Sequence, residues 1–180
     1  MSKCPSSGMD SEVEVVQMQG QDREGRQIVT IVAKFLPEGG VVNKYLEEKI
    51  LGKLGKRAWC MVYVHTGVQT PLSLLTSFYN ALPSNIKHNL EAIYFIHPSL
   101  YHRLFFATFG RFLFTPGLYW KLKYVDRLEF LWEHVRRKEM EVPEFVYDHE
   151  KELEYRPMMM DLDALTHHHS QLSIHTMLYL

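Results

Sequence analysis

The chain has 180 residues, 46% of them hydrophobic and 23% charged, and a formal net charge of −1. A chain of this size and composition can bury a substantial core within one globular domain, which argues against extensive disorder. Its near-zero net charge provides no overall field that would attract nucleic acid. The two cysteines, Cys4 and Cys60, form neither a disulfide framework nor a zinc motif, and this favours a reducing, cytoplasmic location.

Poorly patterned segments flank the predicted domain. Residues 1–24 are polar, contain Pro5, Gly8 and Gly20, and lack the apolar stretch of a signal peptide, which predicts a flexible leader. Residues 157–180 have no clear hydrophobic period and are predicted to be a poorly specified tail. The run His167–His169 in this tail is better explained as solvated than as a metal site, because no carboxylate or cysteine is placed to complete one. The folded domain is therefore expected over residues 25–156.

Continuous apolar runs predict three buried strands, at residues 27–35, 58–66 and 91–97, and a shorter fourth strand at residues 122–126. Runs of this kind are typical of strands covered on both faces, as in parallel or mixed sheets. The segments between them carry helical patterns, and a last helix is predicted from about Leu128, with Asp126 and Glu129 as its capping pair. The alternation of strands and helices predicts an α/β fold with crossover connections.

Residues 93–117 carry a large amount of aromatic side chain, with five phenylalanines between Phe105 and Phe114. The segment does not span a membrane, because two arginines and the Pro116–Gly117 pair interrupt a run that would need about 20 apolar residues. One interpretation is a core helix, and the other is a movable lid over an apolar cavity, with a hinge at residues 115–117. Helical spacing places on one side Tyr101, Phe105, Phe109 and Phe112, with Phe106 and Leu113 beside them.

Two histidines, His65 and His97, each follow an apolar strand. They could face the same end of the sheet, where open α/β sheets place ligands; alternatively, each bonds a nearby backbone carbonyl and shapes a turn. The motifs G-x-S-x-G and G-x-G-x-x-G and a phosphate loop are absent, so the chain is predicted not to be an enzyme. A hydrolase built on either histidine would need a serine, cysteine or carboxylate within hydrogen-bonding reach.

The order of five segments resembles the divergent CRAL-TRIO domains, which include the BCH domains of some Rho GTPase-activating proteins and the C-terminal domain of ganglioside-induced differentiation-associated proteins. The segments are "GRQIVTIVAKFLP", "WCMVYVHTG", "NLEAIYFIHPSLYHRLFF", "LKYVDRLEFLWEHV" and "VPEFVYDHE", and the likeness covers about residues 25–150. Its most telling parts are Gly25–Arg26 before the first strand, His65 after the second, and the "YFIHPS" step at residues 94–99.

This resemblance implies a mixed, mostly parallel sheet that floors a hydrophobic pocket, closed by a gate helix after His97–Pro98. In the wider family such pockets hold phospholipids, tocopherol or retinal, whereas the BCH branch binds small GTPases and their regulators. Neither role is catalytic, and neither needs a metal or a cofactor beyond a bound lipid. A further hypothesis is that the phenylalanines of the gate helix contact a membrane transiently when the gate is open. The residues predicted to line the pocket are Tyr63, His65, Tyr94, Ile96, His97, Phe105, Phe106, Phe109 and Phe112.

Overall fold

A computed structural model describes residues 15–36, 52–68, 75, 79–80, 82–113 and 119–155, without the side chains of residues 111–113. Its strands are β1 Val16–Gln21, β2 Gln27–Val32, β3 Trp59–Val64, β4 Leu90–Ile96 and β5 Leu122–Val125. The helices in these ranges are α1 Gly52–Leu54, α2 Ser84–Asn89, α3 Leu100–Leu113, α4 Leu128–Trp132 and α5 Glu144–Tyr155. Single 3-10 turns cover Ala33–Phe35 and Arg137–Glu139.

The strands form one sheet in the order β1-β2-β3-β4-β5. Strands β2 to β5 run parallel to one another, and β1 pairs with β2 in the antiparallel direction. The apolar runs behave as expected of covered strands, because every residue of β3 is buried. The predicted α/β fold with a mixed, mostly parallel sheet is therefore confirmed.

The two faces of the sheet have separate cores. The three parallel crossovers cover one face, as expected when every crossover has the same hand, and their buried side chains include Leu54, Ile86 and Phe106. The chain after β5 covers the opposite face with Leu131, Val135 and Val146. Because successive side chains of a strand point to opposite faces, β2, β3 and β4 each contribute to both cores.

Part of the predicted flexible leader is a strand. Val16 of β1 is buried in the core, and Val16, Gln17 and Met18 pair with Ile31, Thr30 and Val29 of β2. The prediction that ordered structure begins near Gly25 is therefore wrong. Alternating glutamines hide this strand in the sequence, since it is a half-buried edge strand and not an apolar run. Residues 1–14, and the predicted tail at residues 157–180, lie outside the described residues.

Helix α4 begins where the sequence predicts, but its start is capped differently. Its N-cap residue is Arg127, which makes no side-chain capping bond. The backbone N–H of Leu128 instead donates to Glu150 Oε1 of α5 at 2.7 Å, and Asp126 forms an ion pair with Arg103 of α3. The helical patterns that the sequence carries at residues 41–55 and 70–82 lie mostly outside the described residues.

Candidate functional site

An aromatic stack lies on the face of the sheet that α3 covers. Tyr63 of β3 is paired with Phe95 of β4, and their rings are parallel, with centroids 5.3 Å apart. The ring of His65, just beyond β3, stacks on Phe95 at 5.2 Å. Phe106 of α3 meets Phe95 edge-on at 5.8 Å. The parallel register of β3 and β4, together with the packing of α3 on Phe95, thus brings together three of the predicted site residues, Tyr63, His65 and Phe106.

Helix α3 turns a different side toward the sheet than the sequence predicts. Its buried residues are His102, Phe106 and Gly110, which are spaced by four and follow one side of the helix. Two residues of the predicted inner side are largely in solvent, with Tyr101 63% and Phe109 54% exposed. The helix is therefore rotated from its predicted orientation, and Phe109 does not line an interior pocket.

Small and polar residues explain this orientation. A Cβ atom at Gly110 would lie 2.9 Å from the ring of Tyr119, so this side of the helix accommodates that ring only because it lacks a side chain. His102 hydrogen-bonds the hydroxyl of Ser99 through Nδ1 and meets the ring of His65 edge-on at 4.2 Å. Phe105 is half-buried and packs beside the core cluster. Phe112 lies in α3, but its side chain is outside the described part of the chain.

His65 is buried without a hydrogen-bond partner. Its side chain belongs to a residue that is only 3% exposed, and neither ring nitrogen is paired. Burial and the proximity of His102 lower the pKa of His65 to about 4, so the ring is neutral near pH 7. Leaving a buried polar group unpaired costs about 1–3 kcal/mol. The prediction that His65 shapes a turn by bonding a backbone carbonyl is not what the structure has.

Tyr94 and Ile96 lie on the opposite face of the sheet, in the core that the chain after β5 covers. The Tyr94 hydroxyl accepts a hydrogen bond from Arg26 Nη2 at 3.1 Å, and Arg26 Nε lies 2.6 Å from Asp22 Oδ2. The sheet therefore separates Tyr94 and Ile96 from α3, and they cannot line one pocket with Phe106. This corrects the predicted residue set, which combined both faces of β4.

His97 joins two elements at the end of the sheet. Its Nδ1 lies 2.8 Å from Thr66 Oγ1, and its Nε2 lies 2.7 Å from Glu150 Oε1 of α5. His97 holds a positive φ of 52°, a conformation that non-glycine residues seldom adopt. A carboxylate and a hydroxyl are thus within reach of an imidazole, as a hydrolase would need. The Thr66 hydroxyl belongs to a buried residue, however, and Glu150 also caps α4, so this geometry fastens α5 to the sheet.

A surface groove of about 340 Å³ lies between β1 and the segment at residues 138–141. Its lining includes Gln17, Gln19, Lys138, Glu139 and Glu141. These polar and charged side chains do not suit an apolar ligand, and none of the predicted site residues borders the groove. In the described part of the chain, no helix is long and apolar enough to cross a membrane.

Sequence reasoning missed three residues of this region, His102, Arg26 and Glu150. The signal for His102 was its spacing of four from Phe106 and eight from Gly110, which marks one side of a helix. Arg26 stands out in the sequence only through the family resemblance, and no local pattern indicates its partner Asp22. Glu150 is 53 residues from His97, and no local pattern connects the two.

Comparison with known proteins agrees with this architecture. The family model described as the divergent CRAL/TRIO domain matches residues 25–152. The chain is 24% identical over 150 residues to the Protein GDAP2 homolog of Nematostella vectensis, covering 78% of this chain and 29% of that protein. It is 28% identical over 149 residues to ganglioside-induced differentiation-associated protein 2 of Mus musculus, covering 73% and 28%.

A third similar protein is named as a Rho GTPase-activating protein. The chain is 25% identical over 135 residues to Rho GTPase-activating protein 68F of Drosophila melanogaster, covering 72% of this chain and 28% of that protein. The chain thus spans less than a third of the length of the curated relatives it matches. The family model, by contrast, matches most of the chain, including strands β2 to β5 and helix α3. The chain belongs to the divergent CRAL/TRIO domain family.

Proposed function

We propose that this protein is a non-enzymatic binding module for a lipid or another small hydrophobic ligand, held between the sheet and α3. The observation that carries the proposal is the shallow seat of α3. The helix buries Phe106 completely, yet Tyr101, Leu104 and Phe109 are each more than half exposed. A helix that is so apolar and so weakly buried suits a gate, because opening it breaks few core contacts.

The free energies of burial favour replacing the contacts between α3 and the sheet with contacts between the sheet and an apolar ligand. Burial of a phenylalanine side chain contributes about 1.5–3 kcal/mol, so exposing Phe106 and part of Phe105 costs a few kcal/mol. Ten methylenes of an acyl chain, buried in their place against Phe95 and Tyr63, contribute roughly 8 kcal/mol before the cost of association. The stacked rings of Tyr63 and Phe95 form an aromatic floor for such a chain.

Native mass spectrometry of the purified full chain, together with lipid extraction, tests the proposal. We expect a bound lipid after expression in a lipid-rich host. Repeated recovery of empty protein, and failure to take up lipid from vesicles, would count against a lipid site. A Tyr101→Ser/Phe109→Ser variant is the matched control. It changes only exposed side chains of α3, so its bound lipid should equal that of the native chain.

The second candidate function is a scaffold that binds a small GTPase or one of its regulators. The exposed side of α3 favours it, because large apolar side chains in solvent often mark protein contacts. Two of the similar proteins are named Rho GTPase-activating proteins. For this function we expect the Tyr101→Ser/Phe109→Ser variant to differ from the native chain. It should weaken binding to a purified Rho-type GTPase in calorimetry by more than tenfold, whereas a lipid module without this role shows no GTPase binding at all.

Either function suits a protein of the cytoplasm that contacts membranes only peripherally, and we propose that location. Fluorescence microscopy of the tagged chain in a eukaryotic cell, combined with membrane flotation, measures the distribution. A constant association with membranes that resists high salt would contradict it.

A further inference from the structure

His65 is the described residue whose buried side chain lacks a hydrogen-bond partner at both polar atoms. Buried polar groups in folded proteins are nearly always paired, so an exception calls for a reason. Thr66, the next residue, does not supply a partner, because its hydroxyl is engaged with His97. The ring lies beneath α3, in contact with Phe95 and His102, and therefore inside the region proposed to receive a ligand.

The chemistry of this ring restricts what can pair with it. A neutral imidazole offers one N–H donor and one acceptor nitrogen. The rings that contact it belong to Tyr63, Phe95 and His102, so no lysine or arginine is among these contacts, and Arg103, the residue after His102, is paired with Asp126. A buried carboxylate or phosphate at this place would be an unpaired charge, which is far more costly than a neutral hydroxyl. A hydroxyl both donates and accepts, so it complements the ring.

We propose that His65 binds the polar end of the ligand, and that the site therefore selects lipids with an uncharged, hydroxyl-bearing end over lipids with an anionic end. This inference rests on the proposed lipid-binding function. The hydroxyl end lies at the start of α3, near Ser99 and His102, and the hydrocarbon runs along Phe95 and Phe106 toward the other end of the helix. Monoacylglycerols and long-chain alcohols are ligands of this class.

The test uses the delipidated full chain and four ligands of similar hydrocarbon length: monooleoylglycerol, oleate, oleoyl lysophosphatidate and octadecene. Affinities are measured by displacement of a fluorescent hydrophobic probe. We expect monooleoylglycerol to bind about tenfold more tightly than octadecene, the effect of one well-formed hydrogen bond, and at least about tenfold more tightly than either anionic lipid, which would bury a charge without a lysine or arginine beside it. His65→Phe keeps the ring stack but removes the nitrogens. It should reduce the affinity for monooleoylglycerol about tenfold and leave octadecene binding unchanged.

A matched control is His88→Phe, which changes an exposed histidine of α2 and should preserve the native preference. If the native chain binds octadecene but does not prefer monooleoylglycerol, or if His65→Phe keeps the preference, the inference is overturned while the lipid-binding function stands. If the native chain binds none of the four ligands, the lipid-binding function itself fails and the inference fails with it.

Nitrogen NMR of the native chain gives an answer that does not depend on whether His65→Phe folds. Addition of monooleoylglycerol should shift the ring-nitrogen resonances of His65, because one nitrogen gains a hydrogen bond, whereas octadecene should leave them near their original positions. Equal spectra with both ligands would show that the hydroxyl adds no hydrogen bond to the His65 ring, and would overturn the inference.

Discussion

His65 couples the stability of the fold to pH, because its ring is buried and neutral in the folded protein and exposed after unfolding. Burial and His102 lower its folded pKa to about 4, whereas an unfolded histidine titrates near about 6.5. Between these two values the unfolded chain binds a proton that the folded protein does not. The free energy of unfolding therefore falls as the pH drops from 6.5 toward 4, by about 3 kcal/mol over the whole window.

Urea denaturation at pH 7 and pH 4.5 measures this dependence. The native chain should lose about 2 kcal/mol more between the two conditions than His65→Phe, which has no group to titrate at this position. Burial also lowers the pKa of His97 and of His134, so the variant keeps a remaining pH dependence in the same direction. Equal losses in the two proteins would contradict the assignment of a neutral, buried His65.

The ion pair between Arg26 and Asp22 makes a second prediction at the scale of the residue. Both side chains are buried, and Asp22 Oδ1 also accepts the backbone N–H groups of Glu24 and Arg26 at 3.0 and 2.9 Å. Arg26→Met leaves the Asp22 carboxylate buried without its cation, so we expect a loss of about 3–5 kcal/mol in the free energy of unfolding. Tyr94→Phe removes only one hydrogen bond to Arg26 and should cost about 1 kcal/mol.

Chemical denaturation at neutral pH compares the two variants directly. A cost for Arg26→Met as small as that of Tyr94→Phe would mean that water reaches Asp22 and that the pair is not buried. The two losses in the free energy of unfolding are best compared with each other, because both substitutions affect neighbouring residues of the same core.

At the scale of the element, the orientation of α3 is the point that most affects function. Phe106→Ala removes a completely buried ring and should reduce the free energy of unfolding by about 3–5 kcal/mol. Phe109→Ala truncates a ring that lies mostly in solvent and should cost less than about 1 kcal/mol. The two rings are on the same helix and differ by three positions, so helix propensity contributes equally to both. Similar losses, measured by urea denaturation, would favour the orientation that the sequence predicts.

The strands β2 to β5 could be predicted from the sequence because continuous apolar runs admit few other structures. The predicted run at residues 91–97, for example, is β4, Leu90–Ile96. Strand β1 could not be predicted in this way, because its apolar side chains at Val16 and Met18 alternate with glutamines and the alternation repeats only twice. The orientation of α3 was mispredicted for a different reason: its aromatic residues cluster on one side of the helix, whereas the side that meets the sheet carries His102, Phe106 and Gly110.

The candidate site was predictable only in part. Alternation along β4 places Tyr94 and Ile96 on one face and Phe95 on the other, but which face meets α3 depends on the strand order and on the hand of the crossover from β4 to β5, and no local pattern gives the strand order. The sequence predicts the position of His65 at the end of a strand. It does not predict that the ring lacks a hydrogen-bond partner, because hydrogen bonding depends on the surrounding fold.

At the scale of the whole molecule, the edge of the sheet beyond β2 is protected in two layers. Strand β1 pairs with β2, and the Gln19 side chain in turn bonds the backbone of Glu141, donating to its carbonyl oxygen at 3.2 Å and accepting from its N–H at 3.2 Å. An unprotected edge would offer free backbone groups to another chain. The segment before residue 25 therefore contributes to the same sheet as the segment that the family model matches.

A chain that begins at Gly25 lacks β1, and we expect it to self-associate. The loss of β1 exposes the edge of β2 and the part of the core that Val16 covers. This creates both an unpaired strand and an apolar surface. Size-exclusion chromatography with light scattering should give aggregates for this chain. A control chain that begins at Ser11 retains β1 and should elute as the full chain does. If the shorter chain matches the full chain in both elution and free energy of unfolding, β1 does not protect the sheet, and the 3-10 turn at Arg137–Glu139 or another segment must cover β2 in its place.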